Sequence, residues 1–150
     1  MRRWVNRCAG LAWLVVGVAA CGSDGVAVDP AVTPFVGTWD AVALTVAADA
    51  PSTVVADVLA SGGSFWINVE PSGQYTATLA VASRVFVELG DMTVQNSSTL
   101  TLNPQGGTPA PSAYVFATPD SLILDGATKF DFNLDLVLEP GQGHFELVRR

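Results

Sequence analysis

Beyond Phe35 the chain is written in short runs in which apolar and polar residues alternate, separated by turn residues. Alternation of this kind marks half-buried strands, because successive side chains of an extended backbone point to opposite faces. The first run, from about Thr38 to Val46, puts Trp39, Ala41, Ala43 and Thr45 on one face and Val42, Leu44 and Val46 on the other, so neither face is purely polar. In "SFWINVEPSGQYTATLAV", Phe65, Ile67 and Val69 alternate before "EPSG", and Tyr75, Ala77, Leu79 and Val81 alternate after it. Proline presets one turn dihedral and Gly73 can take a positive φ, which predicts an antiparallel hairpin.

Further alternation follows in Val85, Val87 and Leu89, in Met92 and Val94, in Leu100 and Leu102, in Tyr114 and Phe116, and in Leu122 and Leu124. "KFDFNLDLVLE" predicts the clearest strand, with Phe130, Phe132, Leu134, Leu136 and Leu138 on one face and Asp131, Asn133 and Asp135 on the other; "HFELVR" is the last. "NPQGGTPAPS", Asn103 to Ser112, predicts a mobile loop too rich in Gly and Pro to pair in a sheet. "DAPSTVVADVLASGG" is ambiguous. Val54, Val55, Val58 and Leu59 have helical spacing and Pro51 suits a first turn, so a short helix near residues 51–60 is the preferred reading and a strand the second.

The pattern therefore predicts an all-β domain over 35–150 with eight or nine antiparallel strands. A sheet so wide must manage its edges, and closure into an up-and-down barrel of about eight strands is the economical solution. Such a barrel has room for a solid core or for one small ligand.

The first residues are different. Arg2, Arg3 and Arg7 precede "CAGLAWLVVGVAA", thirteen residues from Cys8 to Ala20. A basic start and an apolar stretch of this length predict an export signal over 1–20, since a permanent span takes about 20 apolar residues. Val18, Ala19, Ala20 and Cys21 resemble the lipobox of bacterial lipoproteins. That resemblance implies cleavage before Cys21 and acylation of its thiol, with membrane lipid as partner through the acyl chains. Each buried methylene contributes roughly 0.8 kcal/mol, so two or more chains hold a protein stably on a bilayer. Gly22, rather than an aspartate, follows the cysteine, and by the same resemblance an outer-membrane address is favoured where the cell has two membranes. Residues 21–34 are small, polar and proline-bearing and read as a flexible tether.

Cys8 leaves with the signal and Cys21 is used by lipid, so disulfides and thiolate metal sites are excluded from the domain. Loss of Arg2, Arg3 and Arg7 leaves four basic residues against fourteen acidic ones, a net charge of −10. Nucleic acid is excluded as a partner, because it requires a basic footprint.

"FVGTWDAV" resembles the Gly-x-Trp opening of the lipocalin family; "EPSGQYTATL" resembles its early hairpin, "LGDMTVQNSSTLTL" its later strand pair, and "FELVRR" its final strand with a late arginine. Met92 departs from the pattern, standing where a tryptophan is common. The resemblance covers about Phe35 to Arg150 and implies a calyx in which Trp39 plugs the closed end. An arginine of the last strand lies across it: Arg149 by position, with Arg150 second.

Candidate chemistry is sparse. His144 is the sole histidine, and no nucleophile or orienting partner for it can be picked out, so an exposed turn residue is expected. Asp125, Asp131, Asn133 and Asp135 invite a calcium site, but alternate strand residues stand roughly 6.6–6.8 Å apart and do not converge on one ion. No phosphate loop, paired-His motif or nucleophile elbow is present, and no cofactor is implied. Phe65, Tyr75, Tyr114, Phe116, Phe130 and Phe132 are the candidate lining of an apolar ligand pocket. The expected function is a non-enzymatic, lipid-anchored envelope protein that binds a small apolar molecule, with a structural or protein-interaction module as the alternative.

Overall fold

The structure, a computed structural model, describes residues 28–133 and 135–150. The expected signal peptide, Cys21, the start of the tether and Leu134 lie outside the described residues. Nine strands follow in chain order: β1 (Gly37–Ala48), β2 (Val55–Asp57), β3 (Ser64–Val69), β4 (Gln74–Val81), β5 (Arg84–Asn96), β6 (Thr99–Pro104), β7 (Ala110–Thr118), β8 (Ser121–Phe130) and β9 (Glu139–Arg149). From β3 onward each strand pairs antiparallel with the next, and β1 pairs with both β3 and β9. This closes eight strands into an up-and-down barrel, with β2 as one extra strand.

A bulge in β1 explains its two-faced pattern. Ala41 pairs with Leu147 and Ala43 with Glu146, so Val42 is the extra residue on the β1 side. The phase of the strand reverses across it. Trp39, Leu44 and Val46 all become buried while Val42 is exposed.

Two ends result. At the base lie the segment before β1, the Glu70–Gly73 turn, the turn between β5 and β6, the Pro119–Asp120 turn and the carboxyl terminus. At the opposite end lie residues 49–63, the Ala82–Ser83 turn, the 105–109 loop and the 131–138 loop. Ala82 and Ser83 both have positive φ, the twist that a two-residue hairpin connection requires. The base is solid. Phe35, Trp39, Ile67, Leu100, Leu122 and Leu147 are packed together there, each at most 2% exposed. Burying side chains of this size stabilises by about 1.5–3 kcal/mol each, and this layer is the main core of the fold.

Four expectations are corrected. The helix near 51–60 is instead β2 followed by a turn: β1 pairs with β3 only over Gly37–Asp40, and its upper edge takes up Val55–Asp57. The unpaired β1 backbone satisfies its hydrogen bonds in this way, and the Val58 amide donates to the Leu44 carbonyl at 3.0 Å. Buried Val58 fills the space where β1 and β3 part. "KFDFNLDLVLE" is not one strand; β8 ends at Phe130, and Leu136, with φ +79, and Leu138 are exposed. The cause is Asp131, whose carboxylate accepts hydrogen bonds from the amides of Asp135 (3.0 Å) and Leu136 (3.0 Å) and folds the chain back on itself. The Asn103–Ser112 loop is shorter than expected, because β6 reaches Pro104, and Pro111 already pairs with Thr101 in β7. The packed part of the domain begins ahead of Phe35: Val32 is fully buried, and Thr33–Phe35 form a 3-10 turn.

Candidate functional site

Above the plug the barrel is hollow. A cavity of about 830 Å³ lies between the inner faces of the strands at the end away from Trp39. Its wall is apolar, carried by Leu44 and Val46 of β1, Phe65 of β3, Leu79 of β4, Phe130 of β8 and Phe145 of β9. Phe65 and Phe145 pack ring on ring at 5.1 Å between centroids. The inward positions of β8 and β9 at this level are small: Gly126, Gly141 and Gly143. A Cβ at Gly143 would come within 2.5 Å of the Phe145 ring, so the glycine leaves that ring its place.

One side of the wall is low. The β5 segment Arg84–Leu89 is paired with β4, while β5 to β6 pairing starts only at Gly90. On the far side Ala127–Phe130 of β8 are paired with β9, while β7 to β8 pairing stops at Gly126. Between these two edges the short β6–β7 hairpin leaves a lateral opening lined by Gln105, Gly106, Gly107 and Thr108. Arg84 donates across its top to Asp131 at 3.1 Å, tying the β4–β5 turn to the 131–138 loop.

Polar groups converge where β5 meets the plug. Tyr75 is buried, and its hydroxyl donates to the Glu88 Oε1 at 2.7 Å. Gly90 makes the contact possible, since a Cβ there would stand 2.7 Å from the Tyr75 hydroxyl. Burial first, and then the Glu88 carboxylate, push the Tyr75 hydroxyl well above its ordinary range, so it remains a donor.

The six expected pocket aromatics are divided. Phe65 and Phe130 line the cavity. Tyr75, Tyr114 and Phe116 belong to the plug, where Phe35 meets both Tyr114 and Phe116 at 5.0 Å between ring centroids. They alternate on the inner face as expected, but at the base end of their strands. Phe132 lines a separate recess of about 270 Å³ beside Ala48, Asp49 and Pro140. Arg84 and Glu88 escape the sequence reading, because only closure of the barrel brings the β4–β5 hairpin opposite β8.

At the base, Trp39 is fully buried, and its indole nitrogen donates to the Phe35 carbonyl at 2.7 Å. Arg149 is its cross-strand partner, with the guanidinium carbon 4.2 Å from the ring centroid. The guanidinium donates to the carbonyls of Val36 and Pro34, and to Asp120 at 3.0 Å. Arg150 pairs instead with Asp40, at 2.5 and 2.9 Å. His144 lies within β9, not in a turn, and meets Asp125 at 2.6 Å on the outside of the barrel. That hydrogen bond, more than any other influence, raises the His144 pKa above 6.5. Among the described residues no three His, Cys, Asp or Glu side chains are placed to hold a metal ion.

No protein-family model matches the chain, and no curated protein matches its sequence.

Proposed function

We propose that this protein is an exported, lipid-anchored component of the bacterial envelope whose lipocalin-like barrel holds a small apolar molecule in its open-end cavity, without turning it over. The observation that carries the ligand reading is the division of the barrel interior into a packed base and an apolar hollow of about 830 Å³. That volume falls in the roughly 300–1,000 Å³ range of small-molecule sites, and such sites are apolar with a few polar groups. The anchor reading is supported by the "VAAC" ending of the apolar N-terminal stretch. Acylation of Cys21 would make membrane lipid a partner, and an outer-membrane address is favoured where there are two membranes.

The test of the ligand reading is native mass spectrometry with solvent extraction of the purified domain, beside a Leu79→Trp, Ala77→Phe double variant that narrows the hollow. A retained apolar species, lost in the folded variant, is expected. A domain that retains nothing and takes up no apolar probe overturns the reading. Incorporation of labelled palmitate, abolished by Cys21→Ser, tests the anchor.

A second reading, a protein-interaction module, is favoured by one observation. Val85, Val87 and Leu89 are all exposed along one side of β5, beside that strand's unpaired edge. Crosslinking in intact cells separates the two readings: a reproducible protein partner together with indifference to apolar probes favours the module.

A further inference from the structure

Resting on the cavity as a ligand site, we propose that its ligand is a cationic amphiphile, an apolar body with an ammonium-type head that the Glu88 carboxylate receives. Four other charged residues border the cavity. Arg84 is committed to Asp131, whose carboxylate also accepts the two loop amides. Lys129 stands between inward-facing Thr128 and Phe130, and strand alternation puts it on the outer face. Asp49 sits on the rim and accepts from Gln142 at 3.3 Å.

Glu88 is different. Cross-strand to Ala77, it lies on the inner face of β5 above the plug. Its Oε1 accepts from the Tyr75 hydroxyl, a neutral donor that orients the carboxylate without cancelling its charge. Among the described residues Glu88 has no ion-pair partner, and its Oε2 accepts no hydrogen bond. Glu88 is itself exposed at the low side of the wall, so its attraction for a cation is partly screened, and the apolar chain seated in the cavity is what holds a cationic head beside it. An anionic head, such as a fatty acid carboxylate, meets repulsion at the same place. The hydrocarbon body then lies along Phe65, Leu79, Phe130 and Phe145.

The test compares three probes of equal chain length, dodecylammonium, dodecanol and dodecanoate, against the purified domain and its Glu88→Gln variant. Calorimetry at about 0.15 M salt screens the domain's long-range negative field. Glutamine keeps an acceptor for Tyr75, so the variant removes the charge and leaves the hydrogen bond. The expected result is binding of dodecylammonium up to about fivefold tighter than dodecanol, the worth of an ion pair at an exposed carboxylate, with dodecanoate weakest. Glu88→Gln should erase that preference and leave dodecanol unchanged. Dodecanoate binding as tightly as the amine, or a variant that weakens all three alike, overturns the head-group assignment alone. Failure of all three probes to bind overturns the ligand cavity itself.

Discussion

Arg149 and Trp39 face each other across the seam between the last strand and the first, with the guanidinium carbon 4.2 Å from the centroid of the indole. The same guanidinium donates to the carbonyls of Pro34 and Val36, so it ties the segment ahead of β1 to the end of the chain. Arg149→Ala is expected to destabilise the domain by about 2–3 kcal/mol, from lost charge-assisted hydrogen bonds and the lost cation–π contact. Arg149→Lys should recover only part of this, because an ammonium lacks the planar fork. Urea denaturation followed by the fluorescence of Trp39 and Trp66 together measures both, and an Ala variant as stable as the parent would show the contact to be incidental.

Gly90 gives way to the Tyr75 ring. A Cβ there would meet the Asn103 carbonyl at 2.4 Å and the Tyr75 hydroxyl at 2.7 Å. Gly90→Ala should therefore cost about 1–3 kcal/mol, the range for forcing an added carbon into a packed site. Melting curves report the loss. Combining it with Tyr75→Phe should relieve little of it, since the backbone carbonyl remains.

His144 offers a pH test outside the cavity. Its hydrogen bond to Asp125 raises the folded pKa above 6.5, so the protonated ring contributes stability in full below about pH 6.5. That contribution fades as pH rises through the folded value. Proton NMR should give a His144 midpoint above 6.5 that falls in Asp125→Asn; a midpoint indifferent to Asp125 would contradict the geometry.

Asp131 organises the 131–138 loop. It is 6% exposed and accepts from Asp135, Leu136 and Arg84. Asp131→Ala should cost about 2–3 kcal/mol by stranding these donors. Faster amide exchange at Asp135 and Leu136, with the base unchanged, is the expected signature.

The barrel was legible because alternation and turn chemistry speak locally. "EPSG" folds as predicted, with Gly73 at φ +89 and its amide donating to Glu70. The misreadings share a cause, competition from groups distant in sequence or from side chains that bond to the backbone. Val54, Val55 and Val58 had helical spacing, yet the open edge of β1 took that stretch as a strand. Phe130 to Leu138 alternated without fault, yet the Asp131 carboxylate offered the backbone a better arrangement than extension. The polar part of the site was illegible because alternation says which residues share a face and not how far along the barrel each sits. Tyr114 and Phe116 accordingly fell in the plug, while Arg84 and Glu88 came to border the hollow.

The chain joins the barrel at its plugged base, where the Asp29 amide donates to the Pro71 carbonyl. The described residues thus enter the barrel at the end opposite its opening. An attachment through the residues ahead of Val28 would therefore lie on the plugged side, and a molecule entering the cavity would pass its open end or the low stretch of wall.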